Sequence, residues 1–593
     1  MNYDLNQLAG AQQKTSIYSG LKKLLQLIAH ERKNLLFALC AILVNSGLNL
    51  LGPYIIGHTL DNYVVKADEH ISSAERYHGV LMNCAMLLGI YLITLVSSYL
   101  QTRLMGGVGQ RMLFTLRNAI FNKLQQLPVA FFNQNKAGDL ISRVNNDTDK
   151  INQFFSQSLM QFIGSIATMV GAGIFLLAIN LKLGAAALAP GLLILLFTTV
   201  VSPWVKRTNA RNLKSVGGMS AEIQESLNNF KVIIAFNRRD YFRKRFDVAN
   251  QQNYKTAIGA GLANNIFMPV YTLFASFAQL AVLTYGIYLI SEGEFTVGLL
   301  ISYFSYTTNF YNPLRQLATL WANFQVAMAG WDRISQILDM ETDLATVTDN
   351  SVNNSTALLD FKNVHFAYGD NEILHNINFK MERGKTYALV GPTGGGKTTT
   401  ASLIARLYDP TSGNVLLNGK DIRSYQPTDR SKKIGFILQE PFLFTGTVRE
   451  NILYGNEAYA GYTDVQLEEA IKNAGLGKLL AMFDAGLETQ VLSAGNSISL
   501  GQKQLIAFMR AVLRNPDLLI LDEATANIDT ITEKLLSEIL NNLPQHTTRV
   551  IIAHRLNTIE NADEIFFVNG GEVVRAGSFD DAMGLLLNNK RVS

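Results

Sequence analysis

Cysteine is almost missing from this chain. Its only two, Cys40 and Cys84, lie inside apolar stretches of a 593-residue sequence. That excludes a disulfide-stapled scaffold and a cysteine metal cluster, and reads as two buried, reduced thiols. Charge is scarce as well: 17% of residues are Asp, Glu, Lys or Arg, and 51 basic against 47 acidic side chains leave a formal charge of +4. So small an excess gives no nucleic-acid footprint, and no nucleic acid is expected as a partner. Apolar residues, by contrast, make up 48% of the chain with a mean hydropathy of +0.13, which rules out a disordered or collagen-like polymer. An ordinary domain has roughly 100 to 200 residues, so a single compact core is excluded too. The first residues, MNYDLNQLAGAQQKTS, lack the short basic segment and apolar core of a cleavable secretion signal, so insertion into a membrane is expected to start from an internal segment.

Crossing roughly 30 Å of hydrocarbon takes about 20 apolar residues. Six stretches of that kind run from Leu35 to Val64, Val80 to Leu104, Ser158 to Ile179, Leu183 to Val205, Leu262 to Ile290 and Val297 to Phe324. Their near-uniform apolarity leaves no polar face for water and predicts an all-α six-helix transmembrane domain. Lys and Arg concentrate in the cytoplasmic loops of such bundles. Here they gather in the lead-in (Lys22, Lys23, Arg32, Lys33), between the second and third spans (Arg111 to Lys150) and between the fourth and fifth (Lys206 to Arg245). The other connections lean acidic, with Asp68, Glu69, Glu75, Glu292 and Glu294. Both ends are therefore expected in the cytoplasm. The two basic connections carry helical patterns such as LFTLRNAIFNKLQQL and AEIQESLNNFKVIIAF, so the spans are predicted to continue past the membrane. Their tips, around Gly138 to Asp149 and Glu225 to Phe236, are either solvated faces or docking points for the domain that follows. In the sixth span Tyr303, Tyr306 and Phe310, with Asn309 nearby, either line a cavity for amphipathic cargo or face lipid and pack against other helices. The spans hold few ionisable groups, which favours a lipid, drug or other amphiphile over a small charged ion.

The grammar then changes. A polar stretch from Asp343 to Thr356 reads as a linker, and short β-rich runs follow, among them ALLDFKNVHFAY, TYALVG and IGFIL. The predicted division is a lead-in with an amphipathic elbow helix (1–33), the six-span domain with two long intracellular loops (34–330), a linker (331–356) and a nucleotide-binding domain (357–593). The run TYALV leads into Gly391, Pro392, Thr393, Gly394, Gly395, Gly396, Lys397, Thr398 and Thr399, then ASLIARLY: a strand, a P-loop and a helix. Glycines let successive backbone N–H groups curl around phosphate, Lys397 reaches the β and γ phosphates of ATP, and Thr398 ligates Mg²⁺. A second apolar run, Leu518 to Leu521, ends in Asp522 and Glu523, two carboxylates at the end of a buried strand. Asp522 is expected to hold Mg²⁺ through water, and Glu523 to polarise the attacking water.

In this order of motifs the chain resembles the ATP-binding cassette (ABC) exporters over nearly its whole length, an α/β P-loop ATPase fused to one membrane domain. The resemblance implies that Tyr368 in HFAYGD stacks on adenine and that Gln439 in FILQEPFLF senses Mg²⁺. It also implies a signature loop at Ser499, Gly501 and Gln502 in ISLGQKQL, with Asp529 in the loop after the carboxylate and His554 in IIAHR as the switch histidine. LPVAFFNQNKAGDLISRVNNDTDKINQF is similar to the first intracellular loop of lipid and multidrug exporters. The chain is thus identified as a half-transporter that hydrolyses ATP to export or flop an amphiphile across a bacterial plasma membrane. The alternative is a nucleotide-gated channel or regulator without active transport, against which the retained Glu523 and His554 weigh.

Two positions depart from the family. The signature usually reads Leu-Ser-Gly-Gly-Gln, and here it is Ile498, Ser499, Leu500, Gly501 and Gln502; Leu500 adds bulk near a phosphate and disfavours a left-handed backbone by about 1 to 2 kcal/mol. Ser493 stands where relatives often carry an acidic residue. In the family two cassettes sandwich two ATP molecules, each held by one P-loop and the opposite signature. An irregular signature beside an intact Glu523 resembles the catalytically complete member of a heterodimer, so a second, different half-transporter is expected; a homodimer tolerating Leu500 is the other reading.

Overall fold

The computed structural model describes residues 3–5, 31–65, 72–341, 346–347, 357–369, 371–492, 498–522, 530–552, 562–577, 580–581 and 584. Glu523, Asp529, His554, Ser493, Lys22, Lys23, Asp68, Glu69 and most of the expected linker lie outside the described residues. By packing, the chain forms two compact units that do not follow its order: one holds the described residues of 31–124 and 138–339, the other residues 3–5, 125–137 and the described residues from 340 onward.

The first unit is helical. Its long elements are α1 (Arg32–Thr59), α2 (Ser73–Gln126), α3 (Leu159–Ile179), α4 (Leu181–Asn228), α5 (Arg239–Asn265), α6 (Phe267–Ser291) and α7 (Val297–Leu338). Among the described residues five helical stretches have the length and apolarity to cross a membrane, the fifth made of α5 and α6 together. The expected sixth span is the helix α7, whose apolar residues are more interrupted by polar ones than in those five. Its Ser302, Tyr303, Tyr306, Thr307 and Tyr311 are buried among other helices, where each hydroxyl needs an acceptor. Neighbouring backbone carbonyls supply them. Tyr306 donates to Leu50 O (2.8 Å), Ser302 to Pro53 O (2.7 Å), Tyr311 to Ala187 O (2.8 Å), and Tyr303 to the carbonyls of Leu176 and Asn180. Tyr303 and Tyr306 are therefore packing residues, as one of the two readings had it.

At its start α7 is tied to α1. The buried Asp61 carboxylate accepts the Thr296 hydroxyl and the Gly298 N–H (2.8 Å). Here α1 and α7 approach so closely that a Cβ at Gly298 would collide with the Gly57 carbonyl oxygen.

Both basic connections are helical, as their pattern predicts. At 1.5 Å per residue α2 runs about 80 Å, far beyond a bilayer's apolar core. The first tip, however, is Val129–Gln134 rather than the stretch around Gly138 to Asp149. Pro128 turns extended (φ −70°, ψ 161°) and breaks the helix there, while Gly138 to Asp149 belongs to the returning helical run. In that run Arg143, buried, bonds Asp139 (3.0 Å) and the Arg333 carbonyl (2.8 Å), and Asp147 pairs with Arg333 and Lys150. The second tip, Phe230–Ala235, falls where expected. Cys40 and Cys84 are exposed, not buried. Apolar surroundings in a spanning helix report contact with lipid as readily as contact with protein.

The second unit contains the strands β1 (Ala357–Tyr368), β2 (Asn371–Glu382), β3 (Thr386–Val390), β4 (Ser412–Leu417), β5 (Lys420–Asp421), β6 (Ile434–Ile437), β7 (Gly446–Thr447), β8 (Gln490–Val491), β9 (Leu518–Asp522), β10 (Thr548–Ile552), β11 (Glu564–Asn569) and β12 (Glu572–Gly577). They form a four-stranded antiparallel sheet, β2-β1-β4-β5, a six-stranded sheet, β12-β11-β3-β10-β9-β6, and the pair β7-β8. Every residue of β3 and β9 is buried, the mark of parallel strands covered on both faces. One core, with Phe361, Phe379, Tyr387 and Phe566, fills one face; another, with Ile452, Leu505 and Phe508, fills the opposite face.

Candidate functional site

Strand register assembles the site. In the six-stranded sheet β10 lies between β3 and β9, and its Ile552 is level with Leu389 on one side and Asp522 on the other. On the far side of β9, Ile437 of β6 is level with Leu521. The loop after β3, the buried Asp522 and the turn after β6 that carries Gln439 therefore share one edge, the carboxyl ends of parallel strands, where open α/β sheets bind ligands. Glu523 and His554 follow these strand ends in the sequence and lie outside the described residues.

The loop after β3 leads into α8 (Lys397–Ile404). Gly396, its N-cap, has φ 112° and no capping side chain. A residue with a Cβ would be strained there and would press on Leu374. The first N–H groups of such a helix have no intrahelical acceptor and carry the positive end of its dipole, so the loop is a ready anion cradle. Lys397 is almost fully buried, and its ammonium donates to the carbonyls of Gly391 (2.8 Å) and Pro392 (3.0 Å), which holds a positive charge across the mouth of the loop. Thr398 is exposed, whereas Thr399 is buried.

Tyr368, the last residue of β1, stands at 41% exposure. Its ring is held edge-on by Phe366 (centroids 4.7 Å apart) and Tyr408 (5.2 Å), and its hydroxyl bonds Thr399 of the P-loop helix. Burial pushes that phenol above its ordinary pKa, partly offset by the Thr399 bond. Beside it is a cavity of about 400 Å³ lined by Phe366, Tyr368, Tyr408 and Thr411, and by Tyr3, Pro128 and Gln134 of the same compact unit. The P-loop does not line this cavity, so it adjoins the anion cradle rather than forming it. Asn133 donates to the Tyr408 hydroxyl (2.6 Å), and the Asn135 amide clasps the backbone at both Tyr3 (2.9 Å) and Leu5 (3.1 Å). Sequence reasoning missed Tyr408, Asn133 and Asn135. Nothing local marks them, because their partners are about 40 to 275 residues away.

Ser499, Gly501 and Gln502 form a separate helix start. Ser499 caps α9 (Leu500–Val512), its hydroxyl accepting from the Gln502 N–H (3.1 Å) while its own N–H donates to the Gln502 side chain (2.9 Å). Leu500 is the first helical residue and has no positive φ, so the expected left-handed strain is absent. Its side chain is 42% exposed.

Two protein families match the chain: the ABC transporter transmembrane region over residues 35–314 and the ABC transporter over residues 374–526. An uncharacterized ABC transporter ATP-binding protein of Bacillus subtilis, YfiC, is 33% identical over 93% of this chain and 90% of its own length. The fatty acid ABC transporter ATP-binding/permease protein of Mycobacterium bovis is 33% identical over 83% of this chain and 78% of its own. The ATP-dependent lipid A-core flippase of Syntrophus aciditrophicus is 29% identical over 94% and 91%. A helical membrane unit, a sheet unit with an anion cradle at its strand ends, the two family matches and a relative 33% identical over 93% of the chain lead to one conclusion: the chain belongs to the ABC transporter family, as an integral membrane protein of the half-transporter exporter type that binds and hydrolyses ATP to drive transport.

Proposed function

We propose that the chain exports or flops a lipid, drug or other amphiphile across a bacterial plasma membrane by alternating access, with residues 34–330 as the membrane domain, 331–356 as linker and 357–593 as the cytoplasmic cassette. The level register of β3, β10 and β9 carries this reading, because it brings the P-loop and Asp522 to one edge. The part-exposed Tyr368 ring stacks on adenine. The loop from Gly391 to Thr399, through its N–H groups, of which Pro392 has none, and the Lys397 ammonium hold the phosphates, the ammonium exchanging its two loop carbonyls for phosphate oxygens. The Thr398 hydroxyl, the Gln439 amide oxygen and the Asp522 carboxylate are all oxygen donors, which fits the hard ion Mg²⁺. When bound there, Mg²⁺ neutralises charge on the transferring phosphoryl group. Glu523 orients the attacking water and accepts its proton, and His554 contacts the γ-phosphate. Ser499, Gly501 and Gln502 present the start of α9 to the nucleotide held by a partner cassette.

That partner is a second half-transporter. The departure of the signature at Leu500, beside the retained Glu523 and His554, favours a different chain over a second copy. An active, stable homodimer formed by the chain expressed alone would overturn the heterodimer.

Glu523→Gln keeps the size of the side chain and removes its basicity. ATP binding persists and turnover falls by about 100-fold or more, the scale of general-base loss. Unchanged hydrolysis in the variant would sink the assignment.

A further inference from the structure

Residues 3–5 are held in the second unit by residues 130 or more positions further along the chain. Tyr3 is almost fully buried and Leu5 completely so, with the half-buried Asp4 between them. Buried side chains alone would let such a short segment slip, but its main chain is gripped as well. The Gln134 Oε1 accepts the Tyr3 N–H (2.7 Å). The buried Asn135 amide uses its oxygen and both of its N–H donors: Oδ1 accepts the Leu5 N–H (3.1 Å), while Nδ2 donates to the carbonyls of Tyr3 (2.9 Å) and Phe131 (2.8 Å). Phe131 lies in the tip helix Val129–Gln134, and Asn135 is the residue that ends it. One side chain therefore both closes the tip helix and clasps residues 3–5. Without the segment, the Asn135 and Gln134 oxygens lose these donors and the space filled by Leu5 empties.

The same tip helix reaches the tyrosines beside the P-loop. Its Asn133 donates to the Tyr408 hydroxyl (2.6 Å), and the Tyr408 ring stands edge-on to Tyr368 (centroids 5.2 Å apart, planes at 86°). Tyr3 also lines the cavity walled by Phe366, Tyr368 and Tyr408. Two routes thus run from residues 3–5 to the brace of Tyr368, one through the tip helix and one through the cavity wall. A part-exposed ring keeps its orientation only as well as its neighbours are held.

We propose that residues 3–5 are a strap that sets the affinity for ATP, with Asn135 as a positioning residue. Clasped, the strap fixes the tip helix and Tyr408, and Tyr368 is held ready for adenine; released, it leaves Tyr368 without a firm brace. The inference rests on Tyr368 being the platform for adenine and adds a distant element that controls it.

The test is steady-state hydrolysis of Mg-ATP by the assembled transporter in lipid nanodiscs. Removing residues 1–5 is expected to raise KM for ATP about fivefold, the lower end of the cost of losing one base stacked on an aromatic ring, with kcat within about twofold of the parent. Leu5→Ser, which spares the main-chain bonds, gives a smaller rise in the same direction and serves if the shortened chain fails to fold. Asn135→Ala raises KM as removal does, and the two together go no further, because they break one clasp. In a Tyr368→Ala background removal has no further effect on KM, an outcome that a general loss of stability would not give. The proposal is overturned if removal leaves KM unmoved or lowers kcat alone, if its effect adds in full to that of Asn135→Ala, or if the effect persists undiminished beside Tyr368→Ala. Should Tyr368→Ala by itself leave KM unchanged, the adenine platform falls instead, and the strap's role falls with it.

Discussion

Leu500→Gly restores the family's usual signature residue and separates a sequence argument from a structural one. If leucine strained a left-handed backbone, its removal would release about 1 to 2 kcal/mol and speed hydrolysis at the partner's site by roughly 5- to 30-fold. Leu500 instead opens α9 in a right-handed conformation with its side chain 42% exposed, so no strain is there to release. Glycine in a helix costs up to about 1 kcal/mol relative to good helix formers. Hydrolysis by the purified transporter should therefore stay within about threefold of the parent or decline slightly. Ser499→Ala provides the contrast. It removes the hydroxyl that accepts from the Gln502 N–H, a cap worth about 0.5 to 2 kcal/mol, and should slow hydrolysis more than Leu500→Gly does. A gain of fivefold or more in Leu500→Gly would refute the reasoning and restore strain as the meaning of the departure.

Three further outcomes follow. Tyr368→Ala should weaken ATP binding by about 1 to 3 kcal/mol, the worth of one base stacked on an aromatic ring, whereas Tyr368→Phe, losing only the Thr399 bond, should bind within a few fold; equal titration curves for the alanine variant and the parent would refute the stacking role. Asp61→Ala strips the buried Gly298 N–H and the Thr296 hydroxyl of their acceptor, so the melting temperature of the solubilised protein should fall, consistent with a loss of about 1.5 to 3 kcal/mol; an unchanged melting curve contradicts it. Burial alone would raise the Asp421 pKa, but the bonds from the Arg423 side chain and backbone and from Asn414 outweigh it and hold the carboxyl below its ordinary value. Its stabilisation is therefore present above the unfolded pKa of about 3.9 and lost as pH falls through the lower folded value. Asp421→Asn should melt earlier than the parent at pH 7, with the gap closing as the buffer approaches about pH 3.

Much of the cassette is legible because its signals are local. The run ALLDFKNVHFAY is strand β1 from end to end, and TYALV is β3, closed by a loop in which Gly396 needs positive φ. Pairings across the chain are not legible: no pattern around Tyr368 announces that Tyr408 will brace its ring. In the membrane unit apolarity does not report burial. Cys40 and Cys84 sit among apolar neighbours and are exposed, while the less apolar α7 has its hydroxyls deep in the bundle. The site of the first tip was available in the sequence, since Pro128 interrupts a helical pattern that otherwise continues. Helical spacing leaves cargo contact and packing both open for Tyr303 and Tyr306, and only the structure decides, because each phenol reaches a neighbouring carbonyl.

The way α7 is bonded to its neighbours also bears on movement. Its hydroxyls rest on main-chain oxygens, and a helix repeats such oxygens every 5.4 Å of pitch, each with a second lone pair. Sliding or turning by one step exchanges one oxygen for the next, so the central helix can change its neighbours' register without stranding a donor, as a rack and pinion passes from tooth to tooth.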